Sequence, residues 1–255
     1  MKHPYDLILF AGQSNMAGRG DASLAPLCPP ESGWEYRAVT APGQLFPLEE
    51  PFGEKENRPG GLDDGAEKTG SLVSSFVAEY YTLTGRPVVG VSASEGGTST
   101  GQWLDYLAKD ALTRFQDALA WLRANEGEPA HICMLWCQGE TDGDKGLTVQ
   151  EYKKNFLTLW EQFRAAGIQR CGLIQIGHFN YPVYPHGRDG LTGAQLEERY
   201  SIIRQAQEEL CREEPDLVLA ATFADSLDLM KDPFHYRQPA YDQAGRQAAR
   251  VMAGE

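Results

Sequence analysis

Short apolar runs alternate along this chain with longer stretches whose apolar residues recur every three or four positions. The runs are Leu7 to Ala11, Pro87 to Ser92, His131 to Cys137, Cys171 to Ile176 and Leu217 to Thr222. Each is short and mostly apolar, which predicts five strands buried on both faces. Between them, Leu72, Phe76, Tyr80 and Leu83 form one helical stripe that ends at Gly85, and Leu104, Leu107, Ala111, Phe115, Ala118 and Leu122 form another. Thr148 with Glu151 has capping-box spacing and leads into Tyr152, Phe156, Leu159 and Phe163. Thr192 with Gln195 repeats that start before Leu196, Tyr200, Ile203 and Leu210. These stripes read as core packing. Strand and helix in alternation predict an α/β fold with three α/β/α layers and a five-stranded, mainly parallel sheet.

Residues 18–69 break the rhythm. This stretch has no convincing period and holds seven of the 15 prolines. Loops this long in a compact domain are functional or disordered. Trp34, Tyr36, Leu45 and Phe46 give it something to pack with, which favours an ordered lid or pocket wall. With no repeat and no linker elsewhere, the 255 residues read as one domain with a long insertion at 18–69.

Composition narrows the setting. Apolar residues at 42% and charged residues at 23% are ordinary globular usage. A formal net charge of -13 repels nucleic acid and anionic membranes on average, so neither is an expected partner. No stretch approaches the roughly 20 apolar residues of a membrane span. Met1 to Asp6 leads straight into a short apolar run without a signal-peptide core. Cys28, Cys133, Cys137, Cys171 and Cys211 are odd in number and scattered, as reduced thiols are. The expectation is a cytoplasmic protein.

Chemistry concentrates where strands end. In a doubly wound sheet ligands bind outside the carboxyl ends of the strands. The first such turn reads Gly12-Gln13-Ser14-Asn15-Met16. Gly12 permits a sharp bend, and a helix starting near Asn15 would aim N–H groups and a positive dipole end at the Ser14 oxygen. Ser14 or Asn15 as a simple helix cap is the competing reading of that turn. A serine needs a base, and His3, His131, His178 and His186 lack a carboxylate at a usable spacing. His235 follows Asp232 by three residues, with Pro233 fixing the backbone between them. That carboxylate can hold one ring nitrogen while the other faces Ser14. Two further turns, Gly96-Gly97-Thr98-Ser99 and Gln138-Gly139-Glu140-Thr141-Asp142, offer backbone and side-chain donors at the same edge. Together these supply what acyl transfer needs, a nucleophile and donors for an oxyanion.

The four blocks resemble the ordered motifs of the SGNH (GDSL-like) hydrolase superfamily, and more narrowly its carbohydrate-esterase branch of acetylxylan esterases and sialate O-acetylesterases. The resemblance implies a flavodoxin-like three-layer fold with Ser14 as nucleophile, His235 as base and then acid, and Asp232 orienting it. It implies an oxyanion hole from the N–H groups of Ser14 and Gly97 and the Gln138 side chain, with Gly96 as an alternative donor. Gln138 stands where many superfamily members have asparagine. Gln13, Asn15 and Glu140 are secondary candidates, Glu140 either positioning its neighbours or lying as a solvated turn carboxylate.

Rival readings are weaker. Gly12, Gly18 and Gly20 match neither a phosphate loop nor a dinucleotide fingerprint. No metal-binding motif occurs, Asp142 with Asp144 reads as a solvated loop, and no cofactor is expected. A non-catalytic sugar-binding relative on the same fold is the alternative to an esterase. The expected substrate is a small acetylated sugar, a sialic acid or a xylo-oligosaccharide. Trp34, Trp103, His178, Tyr181, Tyr184, His186 and Arg188 are rim candidates, and Arg19, Arg58 or Arg188 could meet an acidic sugar's carboxylate.

Overall fold

The computed structural model describes residues 4–254, so His3 lies outside the described residues. Its strands are β1 (Asp6–Gly12), β2 (Gly33–Tyr36), β3 (Leu45–Pro47), β4 (Val88–Ser94), β5 (His131–Cys137), β6 (Arg170–Gln175) and β7 (Leu217–Thr222). They form one sheet in the order β3-β2-β4-β1-β5-β6-β7, parallel except for β2 with β3. The α/β/α architecture is the expected one. The strand count is not: seven strands replace five, because residues 18–69 add β2 and β3 at one edge. β2 runs parallel to β4, with Gly33 opposite Val88, and β3 folds back on it. Strands of four and three residues are too short to carry a period, so the insertion looked patternless.

The helices are α1 (Ser14–Ala17), α2 (Val73–Thr84), α3 (Thr100–Gln102), α4 (Ala108–Asn125), α5 (Glu140–Lys145), α6 (Val149–Ala165), α7 (Gly193–Glu213) and α8 (Gln238–Ala253). A wider turn over Trp103–Leu107 joins α3 to α4. Both capping boxes form, at Thr148 and Thr192, where the side chains accept from the N–H groups of Glu151 and Gln195. Gly85 closes α2 in the left-handed region.

Alternate residues of β1 serve two cores. Leu7, Leu9 and Ala11 pack with Phe115 of α4, Phe156 of α6 and Tyr200 of α7, whereas Ile8 and Phe10 pack with Phe76 of α2 and Tyr241 of α8. Strands buried on both faces need no polar alternation, which is why they read as apolar runs. Among the described residues no helix is long and apolar enough to cross a membrane.

The register positions the site. Gly12 of β1 stands opposite Ser94 of β4 on one side and Cys137 of β5 on the other. Three strands therefore end level, and the turns after them share one edge. Chain order reverses across β1, from β4 on one side to β5 on the other, which opens a crevice there.

Candidate active site

Gly12 ends β1 at a φ of 143°, and a Cβ there would run into the Cys137 carbonyl. Only glycine fits this bend. The Gln13 N–H donates to that same carbonyl at 2.9 Å, so the chain turns at once into α1 with Ser14 as its first residue. The Ser14 N–H, as the first of a helix, has no intrahelical acceptor. Ser14 is 6% exposed, and what it exposes faces a cavity of about 580 Å³.

The histidine comes from the opposite end of the chain. After β7, a 3-10 segment at Ala224–Leu229 leads into the loop holding Asp232 and His235, just before α8. That loop returns across the sheet edge. The Asn180 N–H donates to the Pro233 carbonyl at 2.9 Å, and the Lys231 ammonium donates to the Arg19 carbonyl. The His235 Nε2 lies 2.9 Å from Ser14 Oγ, and its Nδ1 lies 2.8 Å from Asp232 Oδ2. With Nδ1–H given to the carboxylate, Nε2 accepts the serine proton. Asp232 Oδ1 accepts from the N–H groups of Phe234 at 3.0 Å and His235 at 2.8 Å. Burial pushes the Asp232 carboxyl up, but the His235 ring and these amides outweigh it and hold it down at about 2. A hydroxyl, an imidazole and an ionised carboxylate hydrogen-bonded in series can transfer a proton from serine as it attacks a carbonyl.

Donors sit beside them. Gly96 and Gly97 line the cavity, Gly97 with a φ of 72° and open space where a Cβ would stand. Gln138 is buried and does not line the cavity. Its Nε2 donates to the Thr98 carbonyl at 3.0 Å and also to the Asp142 carboxylate, which occupies both amide hydrogens.

Of the other candidates, Gln13, Arg19, Glu140 and Arg188 line the cavity, while Asn15 is buried behind Ser14. Arg19 is paired with Asp64 at 2.7 Å and lies against Gly96. Arg188 stands over the Phe234 ring, 4.7 Å from its centre, and pairs with Asp144. Glu140 is no solvated carboxylate. It is buried, accepts from Asn15 Nδ2 at 2.5 Å, and is pushed up to about 7 by burial, with the Asp142 charge adding to it.

Several readings need correction. Trp103 is not a rim residue: it is fully buried, edge-on to Trp136, with its indole N–H on Thr98 Oγ1 at 3.1 Å. Asp142 is not solvated, since its buried carboxylate takes the Thr100 hydroxyl at 2.5 Å. Tyr181 and Tyr184 are exposed, but with Trp34, His178 and His186 they lie off the cavity lining. His178 instead pairs with Glu197, and Arg58 with Asp110. The lining residues that the sequence reading does not name are Asp64, Gly65 and Ala66 from the insertion, Lys145, which follows the Gln138 motif, and Asp189, next to Arg188.

A family model described as carbohydrate esterase, sialic acid-specific acetylesterase, matches residues 4–254. No curated protein sequence matches the chain. Among solved structures, a protein of Arabidopsis thaliana is similar at a TM-score of 0.70, with 20% identity over 98% of each chain. NanS is similar at 0.64, with 14% identity over 98% of this chain and 96% of that one. A carbohydrate acetylesterase from Xanthomonas citri is similar at 0.58, with 19% identity over 98% of this chain and 57% of that one.

Proposed function

We propose, from the premise that this chain belongs to the sialic acid-specific acetylesterase family of carbohydrate esterases, that it removes O-acetyl groups from sugars through an acyl-Ser14 intermediate. The Ser14 oxygen attacks the acetyl carbonyl while His235 Nε2 takes its proton and Asp232 stabilises the resulting imidazolium. The N–H groups of Ser14 and Gly97 receive the oxyanion, with Gly96 as the alternative to Gly97. The C–O bond to the sugar then breaks, and the sugar oxygen leaves with the proton from His235. Water adds to the acetyl-serine, His235 takes its proton and returns it to Ser14, and acetate departs. Gln138 contributes by fixing the Thr98 carbonyl next to Gly97, and it donates to an oxyanion only by giving up one of its two present acceptors. Residues 4–254 act in this reading as one catalytic unit, since its two ends supply the serine and the base.

The observation that carries the proposal is the 2.9 Å bond between Ser14 Oγ and His235 Nε2 at the wall of a cavity large enough for a sugar. Acetate release from an activated acetyl ester and from O-acetyl sugars by wild type and by Ser14→Ala tests it. Release that survives in the variant overturns the mechanism. The sugar is read as a sialic acid or a xylo-oligosaccharide. Arg19, Lys145 and Arg188 line the cavity beside Asp64, Asp144 and Asp189, with Arg19 paired to Asp64 and Arg188 to Asp144, so an acidic sugar would have to share these cations with carboxylates; parallel assays with both acetylated sugars separate the two.

A further inference from the structure

Ser14 and His235 are joined twice. Beside the Ser14–His235 bond, the next residue after Ser14 and the one before His235 are also linked: Asn15 Nδ2 donates to the Phe234 carbonyl at 3.1 Å. The same Nδ2 donates to Glu140 Oε1 at 2.5 Å, and Asn15 Oδ1 accepts from the Tyr241 hydroxyl at 2.7 Å. Asn15 and Tyr241 are fully buried. Two acceptors on one side and an O–H donor on the other leave the amide a single orientation. Glu140 holds it from behind at a cost, because its carboxyl is buried and only Oε1 meets a side-chain donor. Burying a carboxyl weakens a fold unless its hydrogen bonds repay the lost hydration, so stability is a poor account of Glu140.

We infer that Asn15 and Glu140 are positioning residues that hold the His235 loop in register while Ser14 is acylated. This rests on the acyl-Ser14 reading above. In the free enzyme Ser14 itself helps to place the imidazole, because its hydroxyl donates to Nε2. Once the oxygen is an ester it has no hydrogen to donate, and that bond is gone just when Nε2 must face an incoming water. Asp232 still holds Nδ1, and the Asn15 link to Phe234 involves no reacting atom, so it survives unchanged. The second half of the reaction therefore leans on this link more than the first. Glu140 acts through Asn15, keeping the amide aimed at the Phe234 carbonyl.

The test is pre-steady-state hydrolysis of p-nitrophenyl acetate, in which the burst rate reports acylation and the later rate reports deacylation. Glu140→Ala and Asn15→Ala are expected to slow deacylation about ten- to a hundredfold, the scale of a small misplacement of a catalytic group, and acylation only a few-fold. Glu140→Gln, which keeps an acceptor oxygen for Asn15, is expected to recover most of the lost rate. Tyr241→Phe, which only removes the hydroxyl behind the amide, gives the same imbalance more weakly and serves if the alanine variants fail to fold. Equal slowing of both steps, or a glutamine variant as slow as the alanine one, overturns the inference. A wild type that releases no acetate from any ester would instead overturn the acyl-serine reading itself.

Discussion

Replacing Glu140 with glutamine makes the folded protein's pH dependence a test of how this carboxyl is buried. Its usual value of 4.5 applies in the unfolded chain, and in the fold burial, reinforced by Asp142, raises it to about 7. Between those values the folded protein keeps a proton that the unfolded chain has released. The contribution of Glu140 is therefore intact below 4.5 and is lost as pH rises through about 7. At about 1.4 kcal/mol for each pH unit, the interval amounts to about 3 kcal/mol. Glutamine matches the neutral acid in shape and does not titrate. Urea unfolding of wild type and Glu140→Gln at pH 4.5 and 8.5 measures the effect as a double difference, in which the other titrating groups cancel. The variant is expected to gain about 3 kcal/mol on wild type between the two pH values. A stability gap that stays constant to within about 0.5 kcal/mol would refute the burial argument.

Three further outcomes follow from the same geometry. Asp232→Asn puts an amide donor against Nδ1, favours the wrong imidazole tautomer, and is expected to lower kcat about 10⁴-fold with little change in KM for acetate release. Gly12→Ala drives a Cβ toward the Cys137 carbonyl at a φ of 143°, and is expected to cost about 2 to 3 kcal/mol in urea unfolding. Arg188→Ala removes a cation from the cavity wall; it is expected to raise KM about tenfold for an O-acetyl sialic acid and not for a neutral acetylated xylo-oligosaccharide. Equal KM changes for the two sugars would count against recognition of an acid.

What the chain discloses without its fold depends on whether a feature is local. Four strands, β1, β4, β5 and β6, are legible because burial largely on both faces turns each into an apolar run, and β7 is legible at the sheet edge because it too is almost wholly apolar, although Leu219 is exposed. β2 and β3 are not, because β2 pairs with an edge that β4 supplies from more than fifty residues away, and β3 in turn pairs only with β2. α8 escaped for another reason. Its buried face is built on Ala240, Ala244, Ala248 and Ala249, and small residues make a faint stripe. In the site, Asp232 and His235 share one turn, and Ser14 stands in a bend that only glycine permits, so spacing reveals them. Burial is not written in spacing. Asp142 follows Gln138 as a turn acid would, yet the fold closes over it, and Trp103 follows a glycine turn yet tucks under Thr98. Thr98 and Ser99 offered a clue: Ser99 with Gln102 has capping-box spacing, and the Ser99 N–H donates to Gln102 Oε1 at 3.0 Å, so a helix was about to carry the indole inward.

The central claim is that Ser14 forms the covalent intermediate. Incubation with an organophosphonate, followed by intact-mass and peptide mass spectrometry, tests it most directly when acetate release is followed in the same sample. The account predicts one phosphonyl group per chain, mapped to Ser14, with activity lost in step with labelling and no label on Ser14→Ala. A label on another residue, or activity that persists after Ser14 is fully modified, would contradict it.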